Sequence, residues 1–149
     1  MHYQVRPAVV ADAQRISQVI LAALLASNAR DYPASVIERV RQSFTAAGVE
    51  QLMQRRRMFV ALADGVLVGT ASLDANAVRT MFVEPSWHSR GVGRQLMAVL
   101  QQAARDAGES VLVVPASITA EGFYARLGFR TVREQLDGEE RTLIMEQAL

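Results

Sequence analysis

A segment rich in glycine and arginine, HSRGVGR (His88–Arg94), follows an apolar strand-like run and precedes a helix-like one. The first N–H groups of a helix have no partner within the helix and carry the positive end of its dipole. Gly91 and Gly93 lack a Cβ, so an anion can approach those amides, and Arg90 and Arg94 add positive charge. The segment therefore indicates either a phosphate-binding turn or an ordinary tight turn with solvated arginines.

Two well-known phosphate motifs can be tested against these residues. A dinucleotide fingerprint needs G-x-G-x-x-G, but Leu96 stands at its third glycine, and no acidic residue follows a second strand at the expected distance. A P-loop needs G-K-[ST], and this segment contains no lysine. Both motifs are excluded.

Composition limits the class of protein. The 149 residues are 50% hydrophobic and 21% charged, which is typical of a soluble globular domain rather than a disordered chain. The net charge of +1 provides no overall field for nucleic acid or anionic membrane, and the absence of cysteine excludes disulfides, cysteine catalysis and thiolate metal sites. The N-terminus lacks the apolar core of a signal peptide, and the apolar run Val19–Ala26 is too short to span a bilayer. We expect a cytoplasmic protein.

The first half of the chain predicts a strand, two helices and a hairpin. A short strand around Tyr3–Arg6 precedes a helix that Asp12 can cap. Ser35 and Glu38 match the S-x-x-E capping box, which predicts a second helix that ends near Gly48. The apolar run that follows divides into two strands at Asp64-Gly65, a dipeptide that favours a type I′ turn.

The second half predicts the elements that flank the glycine-rich segment. In chain order they are a strand Thr80–Val83, a helix from Val92 to Gly108, a strand Val111–Val114, a short helix with Ser117 at its N-cap and Gly128 after its end, and a hairpin at Asp137-Gly138. The resulting order, β-α-α-β-β-β-α-β-α-β-β, predicts one mixed α/β domain.

Three stretches of the sequence together resemble one family. MFVEPSWHSRGVGRQLM resembles motif A of the GNAT superfamily of N-acetyltransferases, AEGFYARLGF resembles a later motif of that superfamily, and RPAVVADAQRISQVI resembles its usual opening. The resemblance implies a GNAT-like fold of the α/β class. It has a mostly antiparallel sheet of six to seven strands, splayed between the fourth and fifth strands and flanked by about four helices. It also implies a single N-acetyltransferase domain over residues 1–149.

The resemblance implies acetyl-CoA as the cosubstrate, with its pyrophosphate on the amides of Arg90 through Arg94. The pantetheine arm would lie along the fourth strand, and a backbone N–H near Val83 would polarise the thioester carbonyl. The implied coenzyme-binding residues are Met81, Phe82, Val83, His88, Ser89, Arg90, Gly91, Val92, Gly93, Arg94 and Ser117. Three of them depart from the family pattern, since His88 replaces Gln or Arg, Ser89 replaces glycine and Ser117 replaces asparagine.

Tyr124 is the principal catalytic candidate. A phenol is protonated at neutral pH and can supply the proton that a departing thiolate needs, although an amphipathic tyrosine can also simply pack a helix onto a sheet. Glu84, or else Asp74, is the candidate base for the attacking amine, but either could be a solvated carboxylate. His88 and His2 are weaker candidates for that base. No metal site is predicted.

The predicted reaction is transfer of an acetyl group to an amine of a small molecule or peptide, by direct attack in a ternary complex, since the chain has no cysteine. A non-catalytic CoA-binding sensor or assembly module of the same fold stays open as an alternative. Arg55–Arg57 lack the interleaved aromatics of a nucleic-acid site and favour solvated side chains. Tyr32 could line the acceptor pocket or belong to a turn. The family resemblance also implies a homodimer.

Overall fold

Over residues 3–149, which the structure describes, the computed structural model contains seven β-strands and five α-helices. His2, a candidate base, lies outside the described residues. The elements in chain order are β1 (Gln4–Pro7), α1 (Ala13–Ala26), α2 (Ala34–Gln42), α3 (Ala46–Arg55), β2 (Arg57–Ala63), β3 (Val66–Asp74), β4 (Ala77–Val83), α4 (Val92–Asp106), β5 (Val111–Ser117), α5 (Glu121–Arg126), β6 (Arg130–Asp137) and β7 (Glu140–Ala148).

The strands form one mixed sheet in the order β1-β2-β3-β4-β5-β7-β6, and its neighbours are antiparallel except for β4 and β5. Those two strands are parallel and share a single bridge pair, Ala77 with Val113. Asn76 holds this junction, because its backbone oxygen accepts from Val113 N at 2.9 Å and its side-chain amide donates to Val111 O at 3.1 Å. Beyond the junction the strands diverge, so the splay predicted between the fourth and fifth strands is confirmed.

The sheet is covered on both faces. On one face α4 buries Leu96, Met97 and Leu100, and on the other α1 and α3 bury a second cluster that includes Ile16 and Val49. Full burial of each such side chain contributes about 1.5–3 kcal/mol relative to exposure. The core therefore fixes α4, and with it the glycine-rich segment at its start, against the strands that border the gap.

The predicted turns at two glycines are confirmed. Asp64 and Gly65 have φ values of 50° and 81°, as a type I′ turn between β2 and β3 requires. Gly128 follows α5 with φ 99°, and Phe129 N donates to Tyr124 O at 3.1 Å, which is the Schellman pattern with Phe129 buried as its hydrophobic contact.

The predicted second helix is wrong in its extent, because the structure divides it into α2 and α3. Thr45 is the N-cap of α3, and its hydroxyl accepts from Gly48 N at 3.2 Å. Gly48 lies inside α3, and a Cβ at this position would come within 2.4 Å of Ser43 O. Glycine therefore permits the close turn between the two helices. The capping box is also wrong: Ser35 lies within α2 and donates to Glu139 at 3.0 Å.

Two other predicted caps have different hydrogen bonds. Asp12 does precede α1, but its carboxylate accepts from Arg6 and from Val9 N instead of from the helix. Ser117 ends β5 rather than starting α5, and its hydroxyl accepts from Ala120 N at 3.2 Å. In neither case does the polar side chain accept from an N–H inside the helix that it was predicted to cap.

Candidate active site

The gap between β4 and β5 opens into a groove of about 1170 Å³ that extends from the start of α4 to α1 and α2. Eleven of the thirteen residues predicted for the site line this groove: Met81, Phe82, Val83, His88, Ser89, Gly91, Val92, Gly93, Arg94, Ser117 and Tyr124. Arg90 and Glu84 do not line it. Which of these residues contact a ligand stays a prediction.

A β-bulge in β4 marks the place where the groove widens. The β3–β4 register shifts between Thr70 and Ser72, and opposite that shift Thr80 adopts φ 47°. A β-branched residue in this conformation is strained by about 1–3 kcal/mol. Ser72 holds the bulge in place, because its buried hydroxyl donates to Arg79 O at 3.0 Å and lies 2.8 Å from the Thr80 hydroxyl.

The edge of β4 presents the Val83 peptide to the groove. Glu84 N donates to Val68 O on β3 at 2.8 Å, and because successive amides of a strand point to opposite sides, Val83 N–H points into the gap. His88 Nε2 lies 2.8 Å from Val83 O, and since a carbonyl oxygen only accepts, the ring donates this bond. His88 therefore binds the strand edge.

The two glycines of the HSRGVGR segment have different functions. Gly91 is the N-cap of α4 with φ 85°, and no atom lies within 4 Å of the position that a Cβ would occupy there, so the approach to the start of α4 is unobstructed on that side. Gly93 is helical, and a Cβ there would come within 2.9 Å of the Phe123 ring. The absence of a side chain at Gly93 therefore leaves room for the Phe123 ring of α5, and the expectation that Gly93 also admits an anion stays a prediction.

The two arginines of the segment also differ. Arg94 is exposed at the groove, where it adds positive charge. The Arg90 side chain instead lies over the Trp87 ring, 5.2 Å from its centroid, and Arg90 O accepts from the Tyr3 hydroxyl at 2.7 Å. Arg90 thus ties the loop to Tyr3, immediately before β1, and does not line the groove.

Tyr124 is 5% exposed and packs between Phe123 and Phe129, with ring centroids 5.2 and 5.8 Å away. Within residues 3–149 its hydroxyl has no hydrogen-bond partner, although the residue lines the groove. Burial raises the pKa of this phenol well above its ordinary value. Tyr124 therefore remains a neutral donor at physiological pH.

The two candidate bases lie outside the groove lining. The Glu84 carboxylate accepts from Ser86 N at 3.1 Å and from the Ser86 hydroxyl, which caps the 3₁₀ turn Pro85–Trp87. Asp74 pairs with Arg79, with 3.7 Å between Oδ2 and Nε. Among the described residues, the carboxylates that do line the groove belong to Asp137 and Glu140.

The connection between α1 and α2 crosses the groove to the other half of the sheet. We call residues 27–39 the strap. The Tyr32 hydroxyl donates to Arg141 O at 2.9 Å and accepts from Ile118 N at 2.7 Å, while Ser35 and Arg39 bond Glu139 and Glu140 on the β6–β7 hairpin. Tyr32 also lines the groove, and its contact with an acceptor stays a prediction.

Two groove residues were missed in the sequence analysis, Arg56 and Arg79. Arg56 is the half-buried middle residue of the RRR run, and Arg55 and Arg57 on either side are exposed. Its position two residues before the buried Met58 was the available signal, because alternate residues of an extended chain share a face. Arg79 lies on β4 directly before the bulge.

The described residues contain neither a metal-binding cluster nor a membrane-spanning helix. No group of three or more His, Cys, Asp or Glu side chains in this part of the chain could hold a metal ion. None of the helices in residues 3–149 combines the length and apolar character needed to cross a membrane.

Comparison with known proteins places this architecture in context. A family model described as the acetyltransferase (GNAT) domain matches residues 25–144. The uncharacterized N-acetyltransferase YafP of Escherichia coli (strain K12) is 30% identical over 132 residues, which cover 89% of this chain and 84% of YafP. A GCN5-related N-acetyltransferase (aminotransferase, class II) from Rhodopseudomonas palustris superposes with a TM-score of 0.93 at 25% identity, covering 100% of this chain and 97% of that one. PaiA N-acetyltransferase from Thermoplasma acidophilum, solved in complex with coenzyme A, shares the fold with a TM-score of 0.81 at 20% identity and full coverage of both chains.

Proposed function

Because the chain belongs to the GNAT family of acetyltransferases, we propose that it transfers an acetyl group from acetyl-CoA to an amine by direct attack in a ternary complex. The observation that carries this proposal is the groove between β4 and β5, which has unobstructed α4 amides at one end and Tyr124 in its lining. The coenzyme A complex of the PaiA enzyme, which has the same fold, is consistent with it. The domain would act as a single unit.

The coenzyme would be held mainly by backbone groups. The amides that follow Gly91 would bind the pyrophosphate, with Arg94 adding charge. The inward N–H of Val83 would donate to a carbonyl oxygen of the pantetheine arm, in the manner of an added strand. An arm amide N–H that reaches Val83 O would displace the His88 ring from that oxygen, so His88 would move when the coenzyme binds.

Tyr124 would donate to the sulfur of the departing thiolate. Its raised pKa keeps the hydroxyl protonated, and its lack of a protein partner leaves the hydrogen available. Transfer from a phenol of high pKa to a solvated thiolate is unfavourable, but burial raises the pKa of the thiol in the same groove as well. Tyr124 would therefore match its acceptor only when the groove is closed around the coenzyme.

The amine would lose its proton to solvent rather than directly to a carboxylate. Glu84 caps a turn and Asp74 pairs with Arg79, and neither residue lines the groove. The rate would then rise with pH until the acceptor amine itself is neutral, with no additional pKa from an enzyme carboxylate.

Substitution of Tyr124 by phenylalanine tests the function. We expect kcat in a thiol-release assay to fall by roughly 10²–10⁴ because the proton donor is lost. The Kd for CoA and the unfolding midpoint should stay unchanged, since the hydroxyl makes no protein hydrogen bond. The chain contains no lysine. In a second assay with radiolabelled acetyl-CoA, the protein therefore cannot take up label on lysine side chains, and the counts measure acetylation of the acceptor.

Three outcomes would contradict the proposal in distinguishable ways. Full turnover in the phenylalanine variant would exclude Tyr124 as the acid. CoA binding without thiol release from any amine would favour the non-catalytic coenzyme-binding module. Absence of heat on titration of the folded protein with CoA would exclude both functions.

A further inference from the structure

Arg56 and Arg79 are two of the arginines that line the groove, and both lie on the side away from the start of α4. Arg79 lies near the beginning of β4, one residue before the bulge, and Arg56 follows the end of α3. Val83 lies four positions after Arg79 along β4, which is about 13 Å at about 3.3 Å per residue. We call Arg56 and Arg79 the arginine pair. It is distinct from the positive charge at Arg94, where the coenzyme phosphates would bind.

The charge of the arginine pair is incompletely matched by the protein. Arg79 Nε is buried and has no hydrogen-bond partner among the described residues, and its nearest carboxylate is that of Asp74, 3.7 Å away. Within the same part of the chain, the Arg56 guanidinium donates no hydrogen bond and forms no ion pair. A buried donor without a partner is unfavourable, and more so when the group is charged. An anion in the groove would offset that cost.

The electrostatics of Arg56 agree with this geometry. Burial is the main cause that lowers its pKa, and repulsion by the Arg79 guanidinium is the second. The attraction of Asp74 only partly opposes these effects. Two cations and one carboxylate leave a net positive charge in this part of the groove, where a planar guanidinium can bind a carboxylate through two parallel bonds.

Part of the wall of the same groove is apolar. Leu24, Val36, Ile37, Val40 and Phe44, from α1, α2 and the residues that follow α2, line the same groove. Of the two carboxylates in the lining, that of Glu140 is paired with Arg39 at 3.0 Å. The region thus offers two guanidinium groups, a hydrophobic wall and few competing anions.

We propose that the acceptor is an amino acid with an apolar side chain, and that Arg56 and Arg79 bind its carboxylate. This inference rests on the proposed acetyl transfer. Since Val83 would bond the pantetheine arm rather than the thioester carbonyl, the acetyl group would lie further along β4, near the bulge and next to Arg79. The amine and the carboxylate of the acceptor would then be only a few bonds apart, as in an α-amino acid. The apolar wall receives the side chain.

The test compares leucine, methionine and phenylalanine, each with its own amide, as acceptors. For the wild type we expect kcat/KM to be 10- to 100-fold higher for at least one acid than for its amide. In Arg79→Gln and Arg56→Gln this ratio should fall to about 1, through a higher KM for the acid, while the values for the amide stay the same. Arg30→Gln, at an exposed arginine that also lines the groove, is the matched control and should keep the wild-type ratio.

Separate results would overturn this inference and the proposed transfer. Equal turnover of acids and amides by the wild type, or an unchanged ratio in both glutamine variants, contradicts the arginine pair but leaves the transferase intact. If no amine is acetylated, the proposed acetyl transfer is contradicted. The role of the arginine pair is then decided by a measurement of amino-acid binding. Leucine, but not leucinamide, should shift the NMR signal of the Arg79 Nε–H group. The absence of such a shift for all three acids contradicts the proposal.

Discussion

Several residues around the groove adopt backbone conformations that most side chains avoid. Thr80, Ser89 and Gly91 have φ values of 47°, 61° and 85°, and all three line the groove. Left-handed backbone costs a non-glycine residue about 1–2 kcal/mol, so the fold must hold Thr80 and Ser89 in place. At Thr80 the holding group is the Ser72 hydroxyl. Ser89 stands where the family motif that the sequence resembles has glycine, a residue that adopts this conformation without strain.

Gly91 offers a test that separates strain from binding. Gly91→Ala and Gly108→Ala introduce a Cβ at φ 85° and 86°, at opposite ends of α4, and neither Cβ would meet an atom within 4 Å. We expect both variants to lose about 1 kcal/mol of stability in urea unfolding. Only Gly91→Ala should weaken CoA binding, by at least about tenfold in calorimetry, because its methyl group would obstruct the α4 amides. Equal CoA affinity of the two variants would contradict the assigned function of Gly91.

At the residue scale, the sequence predicted a residue's function when that function depends on neighbours along the chain, and not when it depends on distant residues. Tyr124 and Gly91 were placed at the groove by motifs whose neighbours along the chain determine their position. The function of Gly93 could not be predicted, because it depends on the ring of Phe123, thirty positions away. Arg56 and Arg79 become a pair only when α3, the start of β2 and β4 are assembled.

At the scale of elements, the joint between β1 and α1 is electrostatic. The Asp12 carboxylate accepts from Arg6 Nη1 and Nη2 at 2.8 and 3.1 Å and from Val9 N at 2.9 Å. The Arg6 hydrogen bonds are the main cause that holds the pKa of Asp12 below its ordinary 3.8. These bonds fix the entry of α1, which covers one face of the sheet.

Asp12→Asn should therefore destabilise the protein in a pH-dependent way. The folded pKa of Asp12 lies below the unfolded one, so the ion pair stabilises the fold above about pH 4 and its contribution is lost as the pH falls through the folded pKa. We expect a loss of about 1–2 kcal/mol at pH 7. In urea unfolding that difference should narrow steadily below pH 4.

Asp64→Asn is the matched control for this experiment. Asp64 is exposed in the β2–β3 turn, where asparagine tolerates the same φ of 50°, and its carboxylate bonds no described residue. Its effect should be small and independent of pH. A pH-independent loss in Asp12→Asn would show that shape rather than charge stabilises the joint.

Elements with strong periodicity were predictable and their boundaries were not. The stripe of α1 and the amphipathic pattern of α4 indicated helices that the structure contains. The division between α2 and α3 was missed because a sequence match to a capping box does not show which donor Ser35 will face. Its partner, Glu139, lies on a hairpin more than a hundred residues later.

At the scale of the whole molecule, the groove separates a β1–β4 half of the sheet from a β5–β7 half. Apart from helix packing, the described residues join these halves at two places: the Ala77–Val113 junction with Asn76, and the strap. The splayed sheet was predicted from the family resemblance. The alternation of strands and helices along the chain predicted only a mixed α/β domain. The strap contacts could not be predicted, since they join residues 31–39 to residues 118–141 without a local pattern.

Tyr32 provides the test of the strap. Tyr32→Phe leaves Ile118 N–H without its acceptor and Arg141 O without its donor, bonds of 2.7 and 2.9 Å. We expect the acceptor KM to rise about fivefold, equivalent to about 1 kcal/mol, because the wall that α2 supplies is held less firmly. The Kd for CoA should stay the same, since the α4 amides lie at the other end of the groove.

Hydrogen exchange can locate the effect of the Tyr32 substitution. Amides of residues 27–33 and of the β6–β7 turn should exchange faster in Tyr32→Phe, and those of α4 should not change. Ser35→Ala removes only the exposed Ser35–Glu139 bond and should behave like the wild type, because such surface bonds contribute little. If the phenylalanine variant exchanges like the wild type while its acceptor KM still rises, Tyr32 contacts the acceptor directly and the strap does not depend on its hydroxyl. The two measurements together show whether the Tyr32 side chain positions α2 or binds the substrate directly.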